Sequence, residues 1–218
     1  MIRSSFHFKL DKLNNEIIKM GDIVKNQIEL SIESLVNRDL ELATSVIKKD
    51  EFVNKFQRKI EDMCIKLIAA EQPLARDLRL IFTASKIVTD LERMADHAVD
   101  IARIGIQIRK EEPIKPLEHI LKMDEIVKDM LEESLKAYVK RDAEKCYEIS
   151  KRDDEIDIMY SYILKEMLPL MKKDKNNINQ AMQLLFVCKY LERLGDHITN
   201  ICEWTIYLVT GEQKDLNN

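Results

Sequence analysis

The chain has 218 residues, of which 45% are hydrophobic, 34% charged and 6% aromatic, with only 4 glycines and 4 prolines. This composition is typical of long helices with charged outer faces and excludes a sandwich or barrel rich in turns, so we predict an all-α fold. The net charge of −4 comes from interspersed acidic and basic residues and argues against a nucleic-acid partner.

Apolar residues at helical spacing predict three long helices in the first half of the chain. The first covers about residues 4–36. A short turn at Asn37-Arg38-Asp39 follows, in which Asp39 is suited to cap the second helix, predicted to end near residue 70. Pro73 breaks the pattern because proline is tolerated only in the first turn of a helix, and a third helix then runs to about residue 110.

The second half repeats this arrangement. Residues 111–116 contain two of the four prolines and mark the predicted boundary between domains 1–112 and 113–218. A fourth helix is predicted over 117–140 and a fifth over 143–171. A polar turn at 172–177 leads into a sixth helix that ends near Gly211.

Numbering offsets support an internal duplication. Arg38 and Arg141 are 103 residues apart, whereas Glu92 and Glu192 are 100 apart, and a three-residue deletion in the turn at 172–177 accounts for the change. We therefore predict two tandem three-helix bundles related by duplication.

Oxygen-bearing side chains recur at matched positions of the two halves. In the third and sixth helices they are spaced by four residues, which stacks them along one flank of the helix, at the edge of the apolar stripe or outside it. The middle helix of each half adds a pair. The candidate metal ligands are Glu92, Asp96 and Asp100 with Asp50 and Asn54, and Glu192, Asp196 and Asn200 with Asp153 and Asp157.

Like charges at this spacing repel each other unless a cation lies between them. Neighbouring helices of a bundle lie 8 to 10 Å apart, so acids on facing flanks can share an ion or a cluster. Oxygen ligands favour Mg, Mn, Ca or ferric iron. His97 and His197 point about 100° away from the acids beside them, so we expect them around the sites and not as ligands.

These motifs resemble the PhoU family of phosphate-transport regulators. The similar stretches are Gln72-Pro73-Leu74-Ala75-Arg76-Asp77-Leu78-Arg79, Asp90-Leu91-Glu92-Arg93-Met94-Ala95-Asp96 and Tyr190-Leu191-Glu192-Arg193-Leu194-Gly195-Asp196-His197. The resemblance implies two three-helix bundles that hold metal ions, with iron favoured, through the paired carboxylates named above. Asn54 departs from the acidic pattern, so the first-half site is expected to bind metal more weakly.

The resemblance also implies a role that is regulatory and not enzymatic. Such a protein would repress phosphate-starvation signalling when phosphate is plentiful. Its partners would be the ATPase subunit of the phosphate ABC transporter and a sensor histidine kinase, and it would form a homodimer.

Two other functions stay open from the sequence. One is an all-α nucleoside-triphosphate pyrophosphohydrolase, whose Mg²⁺ sites also use only carboxylates, and the other is a purely structural helical scaffold. A ferritin-like di-iron enzyme is excluded because none of His7, His97, His119 and His197 has a glutamate three residues before it.

The remaining sequence features concern location. The first nine residues lack the apolar segment of a signal peptide, and the longest apolar run, residues 184–188, is too short to span a bilayer. We therefore expect a cytoplasmic protein without membrane insertion. Its four cysteines form no Cys-x-x-Cys pair and are expected to be buried, reduced thiols.

Overall fold

The structure is a computed structural model that describes residues 2–216, with side chains described from residue 6 onward. Within this part of the chain there are seven helices and no strand, which confirms the all-α prediction. The helices are α1 (Ile2–Asn37), α2 (Leu40–Glu71), α3 (Ala75–Ile108), α4 (Glu118–Lys140), α5 (Ala143–Ser150), α6 (Asp153–Lys173) and α7 (Asn177–Thr210).

The helices form two bundles that lie side by side. Helices α1, α2 and α3 pack together, and α7 packs against α4, α5 and α6. Because α3 also packs along α7 and α1 against α4, the apolar side chains of both bundles merge into one continuous core. The division into domains 1–112 and 113–218 stays a prediction.

The duplication is visible in the backbone of the two equivalent turns. Arg38 and Arg141 both adopt the left-handed conformation, with φ of 55° and 57°. The next residue caps a helix in each case, because Oδ1 of Asp39 accepts from the Leu42 amide and Oδ1 of Asp142 from the Lys145 amide, both at 3.0 Å. The predicted cap of the second helix is thus confirmed.

The predicted fifth helix is wrong in one respect, because the chain breaks it into α5 and α6. At the break the Arg152 amide donates to the carbonyl of Ile149 (3.0 Å), and the Glu155 amide donates to the carbonyl of Arg152 (3.1 Å). Apolar spacing did not reveal this break, since Ile149 and Ile156 on either side of it are both buried. The break places Asp153 at the positive N-terminal end of a helix, where an acid is favoured.

Two further expectations concern the thiols and the membrane. Cys64, Cys146, Cys188 and Cys202 are all buried and unpaired, as predicted. No helix within residues 2–216 combines the length and the apolar character that crossing a membrane requires.

Candidate metal centres

The first acidic row lies where α2 faces α3. Burial raises the pKa of Asp50, Glu92 and Asp96 above the ordinary value of each carboxyl group. Neighbouring acids raise two of these pKa values further, since Asp96 and Asp50 act on the pKa of Glu92 while Asp50 and Asp100 act on the pKa of Asp96. The structure therefore brings the acids of α2 and α3 into one electrostatic cluster.

Two groups in this row stabilise its ionised carboxylates, one through a hydrogen bond and the other through its charge. The Asn54 amide nitrogen donates to Oδ2 of Asp50 at 3.2 Å. Arg103 pairs with Asp100 at 2.9 Å, and its positive charge lowers the pKa of Asp50 and Asp96. The other oxygen of Asp50, Oδ1, is buried and has no hydrogen-bond partner in the described part of the chain.

The second acidic row lies between α6 and α7. Burial, followed by the charges of Asp196, Asp157 and Glu192, raises the pKa of Asp153 to about 7. Burial also raises the pKa of Asp157 and Asp196. Lys189, which sequence reasoning had not singled out, pairs with Glu192 at 2.5 Å and lowers the pKa of both of those aspartates.

A glycine lets Asp153 lie against α7. A Cβ atom at Gly195 would fall 2.1 Å from Oδ1 of Asp153, a distance at which two such atoms cannot coexist. That Oδ1 atom is buried and accepts no hydrogen bond from residues 6–216. The first half has Ala95 at the equivalent position, so this close approach is a feature of the second row alone.

The donor set of both rows fits a hard cation. Each row offers carboxylate oxygens on two facing helices. In each row the first acid, Asp50 or Asp153, has a buried oxygen that lacks a hydrogen-bond partner among the described residues. As the side chains stand, no group of three or more His, Cys, Asp or Glu within the described chain is arranged to hold an ion. The acids of a row would therefore have to draw together around it.

Asn200, a predicted ligand of the second row, contacts α3 of the other bundle. Its amide nitrogen donates to Oδ1 of Asp90 on α3 at 3.2 Å, and Nδ1 of His197 lies 3.0 Å from the same oxygen. His97 stacks on the rings of His197 and Tyr190, at 5.5 and 5.4 Å between centroids. Burial, followed by the charge of His197, lowers the pKa of His97 to about 4, so this ring is neutral. These side chains join the bundles at the α3–α7 interface.

Asp90 was not among the predicted site residues. It is buried on the core side of α3, and its equivalent in the second half is Tyr190. An acid among the apolar positions of a helix was the available signal, because a buried carboxylate requires partners.

Comparison with known proteins gives the family. A family model described as "PhoU domain" matches the chain twice, over residues 17–105 and 120–205. The chain belongs to the PhoU family. It is 48% identical to a PhoU homologue of Clostridium acetobutylicum, named a phosphate-specific transport system accessory protein, over the full length of both chains. A homologue with the same name from Aquifex aeolicus is 38% identical over 94% of this chain and 92% of its own.

Solved PhoU structures share the fold. The crystal structure of the phosphate transport system regulatory protein PhoU from Streptococcus pneumoniae has a TM-score of 0.90 and 33% identity, over 96% of this chain and 99% of its own. PhoU from Pseudomonas aeruginosa has a TM-score of 0.89 and 33% identity, over 95% of this chain and 100% of its own. Each of the two PhoU-domain matches contains one complete acidic row.

Proposed function

We propose that this protein is a metal-binding regulator of phosphate uptake. The observation that carries the proposal is the recurrence of a partly buried row of mutually repelling carboxylates at the same place in both halves. On a solvated helix face, acids need not stay at matched positions after a duplication. At a cation site they must, because each acid is a ligand. The names of the relatives, which are accessory and regulatory proteins of phosphate transport, support the regulatory part of the proposal.

The residues that would hold the ions differ between the rows. In the second row they are Asp153, Asp157, Glu192 and Asp196. In the first row they are Asp50, Glu92 and Asp96, with Asp100 and the Asn54 carbonyl at its edge. A bound cation would supply positive charge that removes the repulsion among the acids. Iron is the metal that the family resemblance favours, and Mn, Mg and Ca suit the same oxygen donors.

In this proposal the protein is a cytoplasmic adaptor that represses phosphate-starvation signalling when phosphate is plentiful. It acts as a homodimer, through contacts with the ATPase subunit of the phosphate ABC transporter and with a sensor histidine kinase. Metal bound in the rows would fix the position of α2 relative to α3 and of α6 relative to α7. The outer surface that a partner contacts would then have one defined shape.

The test removes one charge from each row. Asp96→Asn together with Asp196→Asn should lose the metal that the wild type carries when purified without chelator. The same double variant should leave a phosphate-starvation reporter active at high phosphate. Asp62→Asn is the control, because Asp62 is an exposed acid of α2 that pairs with Lys66 outside the rows. If the double variant retains both its metal and its repression, the proposal is wrong.

A non-enzymatic role is part of the proposal. The basic groups at the rows, Arg103 and Lys189, each pair with an acid of their own helix, and this leaves them poorly placed to hold a substrate phosphate. Incubation with nucleoside triphosphates and Mg²⁺ or Mn²⁺ should therefore release no pyrophosphate. Release that Asp196→Asn abolishes would favour the pyrophosphohydrolase.

A further inference from the structure

A groove between α2 and α3 exposes apolar side chains near the turn that joins these two helices. It has a volume of about 700 Å³, and Ile65 and Ile68 of α2 and Leu78 and Phe82 of α3 line it. These four side chains are all exposed to solvent. Tyr207 of α7 also lines the groove. Contiguous apolar surface of this kind on a helical protein marks a place where another molecule packs.

The exposed positions recur in the second half of the chain. With the same offsets that relate the acidic rows, Ile65 corresponds to Leu168, Leu78 to Ile178 and Phe82 to Met182. All six side chains are exposed in the structure. Apolar exposure carries a cost in water, so its retention at three matched pairs indicates that these faces serve contact.

Two cations distinguish the groove from the matching face of the second half. The Arg79 guanidinium lies over the Tyr207 ring at 5.4 Å, and the Lys86 ammonium lies over Phe82 at 5.4 Å and Trp204 at 5.5 Å. Neither cation forms an ion pair with an acid of the described chain, although Glu61 also lines the groove. In the second half the equivalent residues are Asn179 and Phe186, which carry no charge.

We propose that the α2–α3 groove is the docking site for an amphipathic helix of a partner protein, whose apolar side chains are flanked by carboxylates. A partner helix that packs between α2 and α3 can place apolar side chains at i, i+3 or i+4, and i+7 against the exposed apolar side chains of the groove. Its flanking carboxylates would then meet Arg79 and Lys86, which lack acidic partners within the described chain. The inference rests on the adaptor role proposed above and assigns the surface that the adaptor uses.

The experiment uses two synthetic helical peptides with identical leucine anchors, one flanked by glutamates and the other by lysines. Trp204, the one tryptophan of the chain, touches Phe82 at the groove and reports binding by its fluorescence. The glutamate peptide should bind the full-length protein at least about tenfold more tightly than the lysine peptide, because two cations face its flanks. Equal affinities would overturn the proposal.

Single substitutions test whether the peptide binds at the groove. Ile65→Glu should weaken the glutamate peptide at least about tenfold by placing a charge in the apolar contact. Ile158→Glu on α6 is the matched control and should change nothing, since the two isoleucines are 65% and 69% exposed. Lys86→Glu should abolish the preference for the glutamate peptide, because the added negative charge then offsets the charge of Arg79. Circular dichroism checks that each variant is folded.

Two results would overturn the proposal. One is that Ile65→Glu and Ile158→Glu bind the peptide alike. The other is that Ile65→Glu abolishes self-association in sedimentation while the wild type binds neither peptide, which would assign the groove to a second copy of this chain. Because no metal enters these measurements, a failure here is distinct from a failure of the metal-binding proposal.

Discussion

At the scale of single residues, Asp153 gives the clearest link between structure and pH. The native pKa of its carboxyl is about 7, against 3.8 as its ordinary value. Between these two pH values the native state keeps a proton that the unfolded chain has released. Stability is therefore lost as pH rises through this window, and the loss is complete above about pH 7.

Asp153→Asn should remove this pH dependence. In metal-free protein the free energy of unfolding of the wild type should fall, relative to the variant, by on the order of 1–2 kcal/mol between pH 5 and pH 8, after allowance for solvent screening. Denaturant titration at both pH values measures it. The neutral His97 has the opposite pH dependence, but it is common to both proteins and cancels in the difference. If the unfolding free energies of the wild type and the variant change in parallel between pH 5 and pH 8, the raised pKa assigned to Asp153 is wrong.

Asn54 explains why the two rows should differ in affinity. Its amide donates to Asp50 and brings no negative charge, whereas Asp157 stands at the equivalent position of the second row. Asn54→Asp should therefore strengthen Mn²⁺ binding at the first row by about tenfold, since each added carboxylate raises the charge of the site. Calorimetric titration in an Asp196→Asn background isolates the first row. Unchanged Mn²⁺ affinity there would count against Asn54 as a residue of the metal site.

At the scale of helices, the approach of α6 to α7 depends on Gly195. Gly195→Ala should raise helix propensity by up to about 1 kcal/mol, yet its methyl group must push Asp153 aside. We expect weaker metal binding at the second row although no ligand is removed. Ala95→Gly is the matched control in the first half, and its first-row affinity should not fall. A variant that binds metal as tightly as the wild type would show that Asp153 is not a ligand.

The duplicated N-caps predict equal energetic effects. Asp39→Ala and Asp142→Ala each remove one hydrogen bond to an orphan amide and should lower the free energy of unfolding by about 1 kcal/mol. Asp62→Ala, which removes an exposed acid from within α2, should cost less. Chemical denaturation compares the three variants, and a cost near zero at either cap would contradict the assigned role.

Local signals account for most of what the sequence predicts at this scale. The helix seams, the Asp39 cap and the repeat follow from spacing, so the bundles and the positions of the rows were predictable. The break before Asp153 was not, because apolar positions continue across it. Lys189 and Arg103 were missed at the rows because the repeat does not relate them: their equivalents are Thr89 and Glu203.

At the scale of the whole molecule, the two bundles are joined by one core and by a polar cluster at the α3–α7 interface. There the side chains of His197 and Asn200 contact the carboxylate of Asp90, and only tertiary packing reveals these contacts. In the proposed account the acidic rows lie on the outer flanks of this joined core, where ions can enter. The groove lies on the same pair of helices as the first row, and Glu61 in its lining acts on the pKa of Glu92. Metal binding and partner docking are nevertheless tested separately, because the peptide measurements contain no metal.

The central claim is that each row is a cation site, and anomalous diffraction tests it most directly. Crystals grown with Mn²⁺ or iron should show anomalous peaks in both halves of the chain, with the carboxylates drawn inward around each ion. The peaks should lie among Asp50, Glu92 and Asp96, and among Asp153, Asp157, Glu192 and Asp196. Crystals in which both rows carry no peak and the acids point into solvent would contradict the account.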